Sequence, residues 1–253
     1  MKFHEMTSPD LAAVDRENTL AVIPIAAVEQ HGPHLPTGTD HFLCTAMAEA
    51  LEQRLPDRLL ITPTMWLGAS AHHLRFGATL DSALDSYIDT LCDLGRSLLN
   101  DGFRRILFLN GHGGNIDPMK VAIRTLQREH PEALIAAGCY WSPSDAERES
   151  ILEGDHKFVG HACEFETSLM LLIRPDLVRR DRLADAGELV TDNLNGVFLS
   201  RDMRHRTREG CTGRPDLATE IKGRRLFEAA VERLIDTCSA LLNAPKGANY
   251  LGQ

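Results

Sequence analysis

Residues 20–28 read LAVIPIAAV, and the polar segment EQHGPH follows directly at residues 29–34. The uninterrupted apolar run predicts a strand that is buried on both faces, because a strand with one solvated face would alternate polar and apolar side chains. Such strands are typical of parallel sheets that helices cover on each side. The run is too short to cross a bilayer, which requires about 20 apolar residues.

Buried strands and helices alternate along the rest of the chain. Short apolar runs predict three more strands, at residues 58–62, 105–109 and 133–139. Apolar residues at helical spacing predict helices at residues 39–55, 82–100, 117–129, 164–173 and 216–242. This alternation implies an α/β fold with three layers, α/β/α, around a mainly parallel sheet. We predict one such domain over residues 1–253, with ligands bound beyond the carboxyl ends of the strands.

The composition argues against several classes of protein. With a formal net charge of -9, the chain lacks the basic surface that nucleic acid or an anionic membrane would require of it. Residues 1–10 contain no apolar segment of the kind found in secretory signals. The six cysteines form no CxxC pair and are predicted to be reduced thiols. The sequence therefore predicts a cytoplasmic protein that binds neither nucleic acid nor a membrane.

The first candidate site follows the first buried strand directly. Glu29 and His31 are two residues apart, so on an extended chain their side chains point to the same side, with Cα atoms about 7 Å apart. Asp40 follows at the start of the next predicted helix. Carboxylate and imidazole groups together suit divalent ions of the first transition row. This segment therefore predicts a metal site.

Two further polar segments carry groups of the same kind. His112 lies in NGHGGN after a predicted strand, where flanking glycines let the backbone approach a ligand closely; the alternative is a glycine-rich turn with a surface histidine. His161, Glu164 and Glu166 lie where a predicted helix begins. The two glutamates point about 200° apart on a helix, so at most one faces the site squarely. Alone, this third segment is an ordinary helix start.

Taken together, these segments are similar to those of the creatininase family of metal-dependent amidohydrolases. The resemblance is carried by IPIAAVEQHGPHLPTGTD, HHLRFGATLD, ILFLNGHGGN, HACEFETSLML and GRPDLATEIKG. It implies a creatininase-like fold, hydrolase activity and two divalent metal ions, for which zinc, manganese and iron all suit the ligands. It also implies that Glu29, Asp40 and His112 hold one ion, and that His31 and Asp40 hold the other with one further glutamate.

That further glutamate is where this chain departs from the family pattern. In creatinine-hydrolysing members it stands two residues after the second histidine, at the position of Gly114. Those members have an apolar residue at the position of Glu164, so the two differences look compensatory. Glu29, Asp40 and Glu164, with one hydroxide, would balance the charge of two divalent ions. We therefore predict Glu164 as the fifth ligand and as a catalytic residue, with Glu166 as the alternative.

The resemblance also implies a mechanism. Two divalent ions held by these residues would supply a metal-activated hydroxide for attack on a carbonyl carbon. His161 matches the family's candidate for proton transfer to the leaving nitrogen; the alternative is a structural histidine at the helix start. Trp141 matches an aromatic wall of the pocket, or else is a core aromatic. His72 and His73 align with a segment on the substrate side, although adjacent loop histidines are often solvent-facing.

Two positions bear on the substrate. Creatinine-hydrolysing members carry aromatic residues where this chain has Gly113 and Lys157, which argues against creatinine itself. We therefore predict hydrolysis of a C–N bond in an amide, cyclic amide or formamide of a small polar molecule. The alternatives are peptide cleavage or ring opening of a cyclic-ketone carbohydrate at the same site, and, from another class, a metal-binding scaffold without turnover.

The polar, glycine-punctuated stretch 185–215 is predicted to be an extended excursion before the last helix. It would either cover the site or contact another subunit. Members of the family commonly form ring-like hexamers, so the resemblance implies a homo-oligomer, up to a hexamer.

Overall fold

The computed structural model describes residues 1–155, 157–190 and 196–245. Within them, four strands form a parallel sheet in the order β2-β1-β3-β4. The strands are β1 (Leu20–Ile25), β2 (Leu59–Ile61), β3 (Arg105–Asn110) and β4 (Leu134–Cys139). Every residue of β1, β2 and β3 is buried, as expected of strands that are covered on both faces.

Helices cover both faces of this sheet. They are α1 (Ser8–Ala12), α2 (Thr39–Arg54), α3 (Leu84–Asn100), α4 (Ile116–Glu129), α5 (Asp145–Ile151), α6 (Glu164–Ile173) and α7 (Glu220–Asn243). One apolar core lies between the sheet and α2, α6 and α7, and a second lies between the opposite face and α3 and α4. The predicted three-layer α/β/α fold with a parallel sheet is confirmed.

Three helices differ from the sequence prediction for identifiable reasons. The last helix begins at Glu220 rather than at residue 216, because Thr219 caps it by accepting a hydrogen bond from the Lys222 amide at 3.1 Å. The sequence prediction omits α1, in which no residue is buried, and α5, in which two residues are buried, so that no apolar stripe marks either helix.

The order of the strands creates a crevice at the carboxyl edge of the sheet. β1 and β3 are neighbours, with β2 outside one and β4 outside the other. At such a switch point the connections after two strands diverge and leave room for a ligand. The turn after β3 packs closely on α2, since a Cβ on Gly111 would lie 2.6 Å from the Cβ of Cys44. The segments that follow β1 and β3 therefore meet at this edge.

Two findings concern membranes and thiols. Among the described residues, no helix combines the length and the apolar character needed to cross a membrane. All six cysteines are unpaired and buried, in agreement with the prediction of reduced thiols.

Candidate active site

Four of the predicted metal ligands lie together at the carboxyl edge of β1 and β3. Glu29 and His31 follow β1, Asp40 lies in the first turn of α2, and His112 follows β3. All four are at most 4% exposed. Asp40 lies between the histidines, with its Oδ1 3.1 Å from His31 Nε2 and its Oδ2 3.1 Å from His112 Nδ1. Because His112 Nδ1 is also 3.2 Å from Glu29 Oε1, the four side chains form one cluster.

The carboxylate oxygens of this cluster indicate what it can hold. Both oxygens of Glu29 and the Oδ2 of Asp40 are buried and, within the described part of the chain, accept no well-aligned hydrogen bond; the polar atoms beside Glu29 Oε1 and Asp40 Oδ2 are imidazole nitrogens. Burying a charged oxygen without a partner is costly, so such groups are normally paired with a cation or bound to a metal. Carboxylate oxygens and imidazole nitrogens are ligands that suit zinc, manganese and iron ions. The cluster therefore fits divalent cations.

Glu166 joins this cluster from the first turn of α6. Ligand atoms of Glu166, His31 and Asp40 lie within 4.8 Å of one another. Burial raises the pKa of Glu166 to about 7, although the neighbouring His31 opposes the rise. Burial lowers the pKa of His31, but the Asp40 carboxylate outweighs this and brings it to about 9. Three buried carboxylates thus share one site, which bound cations would stabilise.

Glu164 turns away from the cluster into a buried ion pair. Its Oε1 lies 2.5 Å from the Nζ of Lys222 in α7, and its carboxylate accepts hydrogen bonds from the backbone N–H groups of Glu153 and Gly154. Residues two apart on a helix point about 200° apart, so Glu164 faces α7 when Glu166 faces the cluster. The prediction of Glu164 as a metal ligand and catalytic residue is therefore corrected, and Glu166 replaces it as the candidate fifth ligand.

The other histidines predicted for the site surround Glu29. His161 Nδ1 lies 3.5 Å from Glu29 Oε1, and His73 Nε2 lies 3.3 Å from the same oxygen. His72 stacks on His112, with ring centroids 5.7 Å apart. The structure thus brings all three predicted histidines to the cluster, and His72 and His73 are not simply solvent-facing.

The cluster lines an open cleft of about 790 Å³ with largely apolar walls. Leu84 and Val121 line it from α3 and α4, and Phe198 and Leu199 line it from the stretch 185–215. The described part of that stretch contains a 3-10 turn at Met203–His205 and an antiparallel bridge between Gly187 and Gly213, and a second 3-10 turn begins at Pro215; residues 191–195 lie outside the described residues. Of the two roles predicted for the stretch 185–215, covering the site agrees with this arrangement, because Phe198 and Leu199 line the cleft.

Two aromatic side chains line the cleft beside the cluster. Trp141 does so as predicted, and Phe158 does so from the segment before α6. Lys157, which stands where creatinine-hydrolysing family members carry an aromatic residue, donates instead to the Leu152 carbonyl oxygen at 2.7 Å. The family resemblance gives no signal for Phe158, because the aromatic residue of other members aligns with position 157 and not with the next one.

The parallel α/β fold and the buried carboxylate–histidine cluster at its carboxyl edge together fit the class of metal-dependent enzymes. The sequence matches the profile of the family described as "Creatininase: Creatinine amidohydrolase" over residues 4–238. The chain therefore belongs to the creatininase family, whose members are hydrolases.

Relatives within this family act on different substrates. The chain is 31% identical over 233 residues to the mycofactocin precursor peptide peptidase of Mycobacterium ulcerans, covering 89% of this chain and 87% of that protein. It is 29% identical over 193 residues to the creatinine amidohydrolase of Pseudomonas putida, covering 69% and 72%. It is also 29% identical over 188 residues to the 3-dehydro-scyllo-inosose hydrolase of Thermotoga maritima, covering 72% and 59%.

Solved structures share the fold. A putative creatinine amidohydrolase from Bacteroides fragilis superposes with a TM-score of 0.77 at 28% identity, covering 89% of this chain and 90% of that chain. A creatininase mutant in a zinc–zinc form gives a TM-score of 0.80 at 23% identity, covering 96% and 98%. Family membership thus fixes the class of reaction and leaves the substrate open.

Gly114 has no room for a side chain in this structure. By the family resemblance, it stands where creatinine-hydrolysing members carry a ligand glutamate. A Cβ on Gly114 would lie 2.1 Å from the Ala69 carbonyl oxygen and 2.5 Å from His112 Nε2. We expect Gly114→Ala to displace His112, to reduce metal content and to lower the free energy of unfolding by about 1–3 kcal/mol. Gly113→Ala is the matched control, because the space around its Cβ position is open. Metal analysis and urea denaturation check this, and identical behaviour of the two variants would contradict it.

Proposed function

We propose that this protein is a dinuclear metal hydrolase that cleaves the C–N bond of an amide, cyclic amide or formamide in a small polar substrate. The observation that carries the proposal is the set of three buried carboxylates beside the cleft, two of which have oxygens with no hydrogen-bond partner among the described residues. The proposed ligands are Glu29, Asp40 and His112 for one ion, and His31, Asp40 and Glu166 for the other.

Bound divalent ions supply Lewis acidity and lower the pKa of coordinated water toward neutrality. The chain itself supplies a positioned imidazole. His161 donates its Nε2 proton to the Gln30 carbonyl oxygen at 2.6 Å, because that oxygen can only accept. This fixes the ring and leaves Nδ1, 3.5 Å from Glu29 Oε1, as the nitrogen that would take up a proton. Burial, aided by the neighbouring His31, lowers the pKa of His161 to about 3, so the resting ring is neutral. We propose that His161 carries a proton from the nucleophilic water to the leaving nitrogen.

A substitution at His161 separates proton transfer from metal binding. We expect His161→Ala to lower kcat by about 100-fold to 10,000-fold, the range typical of a general acid–base group, while both ions stay bound. Steady-state kinetics and metal analysis on the same preparation check this. Turnover equal to that of the wild type would remove His161 from the mechanism.

A substrate screen tests the proposed activity itself. The protein, loaded with Zn²⁺ or Mn²⁺, is incubated with cyclic amides, formamides and simple acyl amides, and the amine groups formed, or the formate released, are measured. Glu29→Gln serves as the control, because it keeps the shape of the side chain and removes a ligand charge. Metal-dependent release that Glu29→Gln abolishes is the expected result. Two bound ions with no turnover of any amide would support the scaffold alternative instead.

Peptide cleavage is the second candidate function. The observation that favours it is the cleft of about 790 Å³, which is larger than a small cyclic amide needs. The mycofactocin precursor peptide peptidase relative adds support at 31% identity. A kcat/KM that rises from simple acyl amides to longer peptides would favour this candidate, and a constant or falling value would favour the small substrate.

Several expectations from the sequence stay predictions. These are a single domain, a cytoplasmic location and an assembly of up to six copies. Zinc, manganese and iron stay candidates for the native ions, and solved creatininases include both a zinc–zinc form and a manganese form.

A further inference from the structure

Ala162 adopts a backbone conformation that an alanine rarely takes. Its φ is +48°, in the left-handed region, and the residue is completely buried. This conformation brings Cβ close to the following carbonyl oxygen and therefore costs free energy for any residue except glycine. Such a conformation persists only where neighbouring contacts enforce it, and these places are often functional.

The turn at Ala162 connects two candidate site residues. His161 precedes it, and Glu166 follows it in the first turn of α6. The backbone N–H of Ala162 donates to Glu166 Oε2 at 2.5 Å. Because this hydrogen bond holds one carboxylate oxygen, it orients the Glu166 side chain. A ligand atom of that side chain lies within 4.8 Å of ligand atoms of His31 and Asp40. A change in the turn would therefore move both the carboxylate and the imidazole.

His34 holds the other side of this turn. It is 1% exposed, and its Nε2 lies 3.1 Å from the Ala162 carbonyl oxygen and 3.0 Å from Thr167 Oγ1. The carbonyl oxygen can only accept, so Nε2 carries the proton and donates. The backbone of His161 is fixed separately, since its N–H donates to Thr212 Oγ1 and its carbonyl oxygen accepts from the Thr212 N–H, both at 2.9 Å.

We propose that His34 is a positioning residue that keeps Ala162 in the left-handed conformation and thereby aims Glu166 at the metal cluster. The inference rests on the proposed metal site and adds a residue to it that contacts no ion itself. A buried histidine that only filled space would stabilise the fold without any effect on metal retention.

Three substitutions at His34 distinguish these roles. Gln places an amide Nε2 donor where the imidazole Nε2 lies, whereas Asn is too short to reach Ala162 and Leu has no donor. The readout is the chelator concentration that removes half of the Mn²⁺ from the Mn²⁺-loaded protein. We expect His34→Leu and His34→Asn to release Mn²⁺ about 10–100-fold more readily, as is typical for groups that support a ligand. His34→Gln should resemble the wild type, as should the control His130→Leu.

A second substitution tests the backbone directly. Glycine adopts the left-handed conformation at no steric cost, so Ala162→Gly combined with His34→Leu should recover most of the lost Mn²⁺ retention. A thermal shift alone, with unchanged Mn²⁺ retention in His34→Leu and His34→Asn, would overturn the proposal. So would a double variant no better than His34→Leu. If His34→Leu does not fold, the contrast between Asn and Gln decides. Mn²⁺ retention without any amide hydrolysis would reject the proposed activity while leaving this comparison valid.

Discussion

Glu166→Gln should release one of the two proposed ions and lower turnover by about 100-fold or more, whereas Glu164→Gln should keep both. The reason is the position of the two carboxylates. A carboxylate oxygen of Glu166 lies within 4.8 Å of ligand atoms of His31 and Asp40, whereas the Glu164 carboxylate forms an ion pair with Lys222. Loss of a group that only supports a ligand already weakens metal binding by about 10–100-fold, and loss of the ligand itself should cost at least as much.

Metal content and kcat, measured on both variants at a temperature where each is folded, check this expectation. Circular dichroism establishes that the comparison is made on folded protein. The reverse result, with an ion lost from Glu164→Gln and retained in Glu166→Gln, would restore Glu164 as the ligand.

Lys222→Met should lower the free energy of unfolding by about 3–5 kcal/mol, the usual cost of removing one partner of a buried ion pair. Glu164 and Lys222 are 4% and 7% exposed, and the Lys222 Nζ also donates to the Leu217 carbonyl oxygen at 2.7 Å. Without the ammonium group, the Glu164 carboxylate would stay buried, and its remaining partners among the described residues would be the backbone N–H groups of residues 153 and 154. Urea denaturation at neutral pH measures the change.

Two companion variants sharpen this test. Arg224→Met removes an exposed cation from the same helix, where Arg224 pairs with Glu220 at 3.3 Å, and should change stability little. The double variant Glu164→Leu/Lys222→Met removes both charges and should recover much of the loss, because paired apolar residues often replace a buried ion pair without cost. Equal stability of Lys222→Met and Arg224→Met would show that the buried pair does not carry this energy.

The sequence predicted the parts of the fold and site that depend on local pattern. The apolar run in β1 identified a doubly covered strand, and the helix predicted at 164–173 has the bounds of α6. Glu29, His31, Asp40 and His112 were found because they follow strands or begin a helix, and the topology of a parallel sheet brings such positions to one edge.

The choice between Glu164 and Glu166 could not be made in this way. Both lie in the first turn of α6, and charge counting gives the same answer for either. The choice depends on Lys222, which lies 58 residues away along the chain and meets Glu164 only through the packing of α7 on α6. The left-handed turn at Ala162 also lacks a sequence signal, because glycine is the residue that normally marks it.

Anomalous diffraction from crystals grown with Mn²⁺ would locate the ions themselves. The proposed site predicts two anomalous peaks near the shared Asp40, one beside Glu29 and His112 and the other beside His31 and Glu166. A single peak, no peak in this cluster, or a peak beside Glu164 would contradict it.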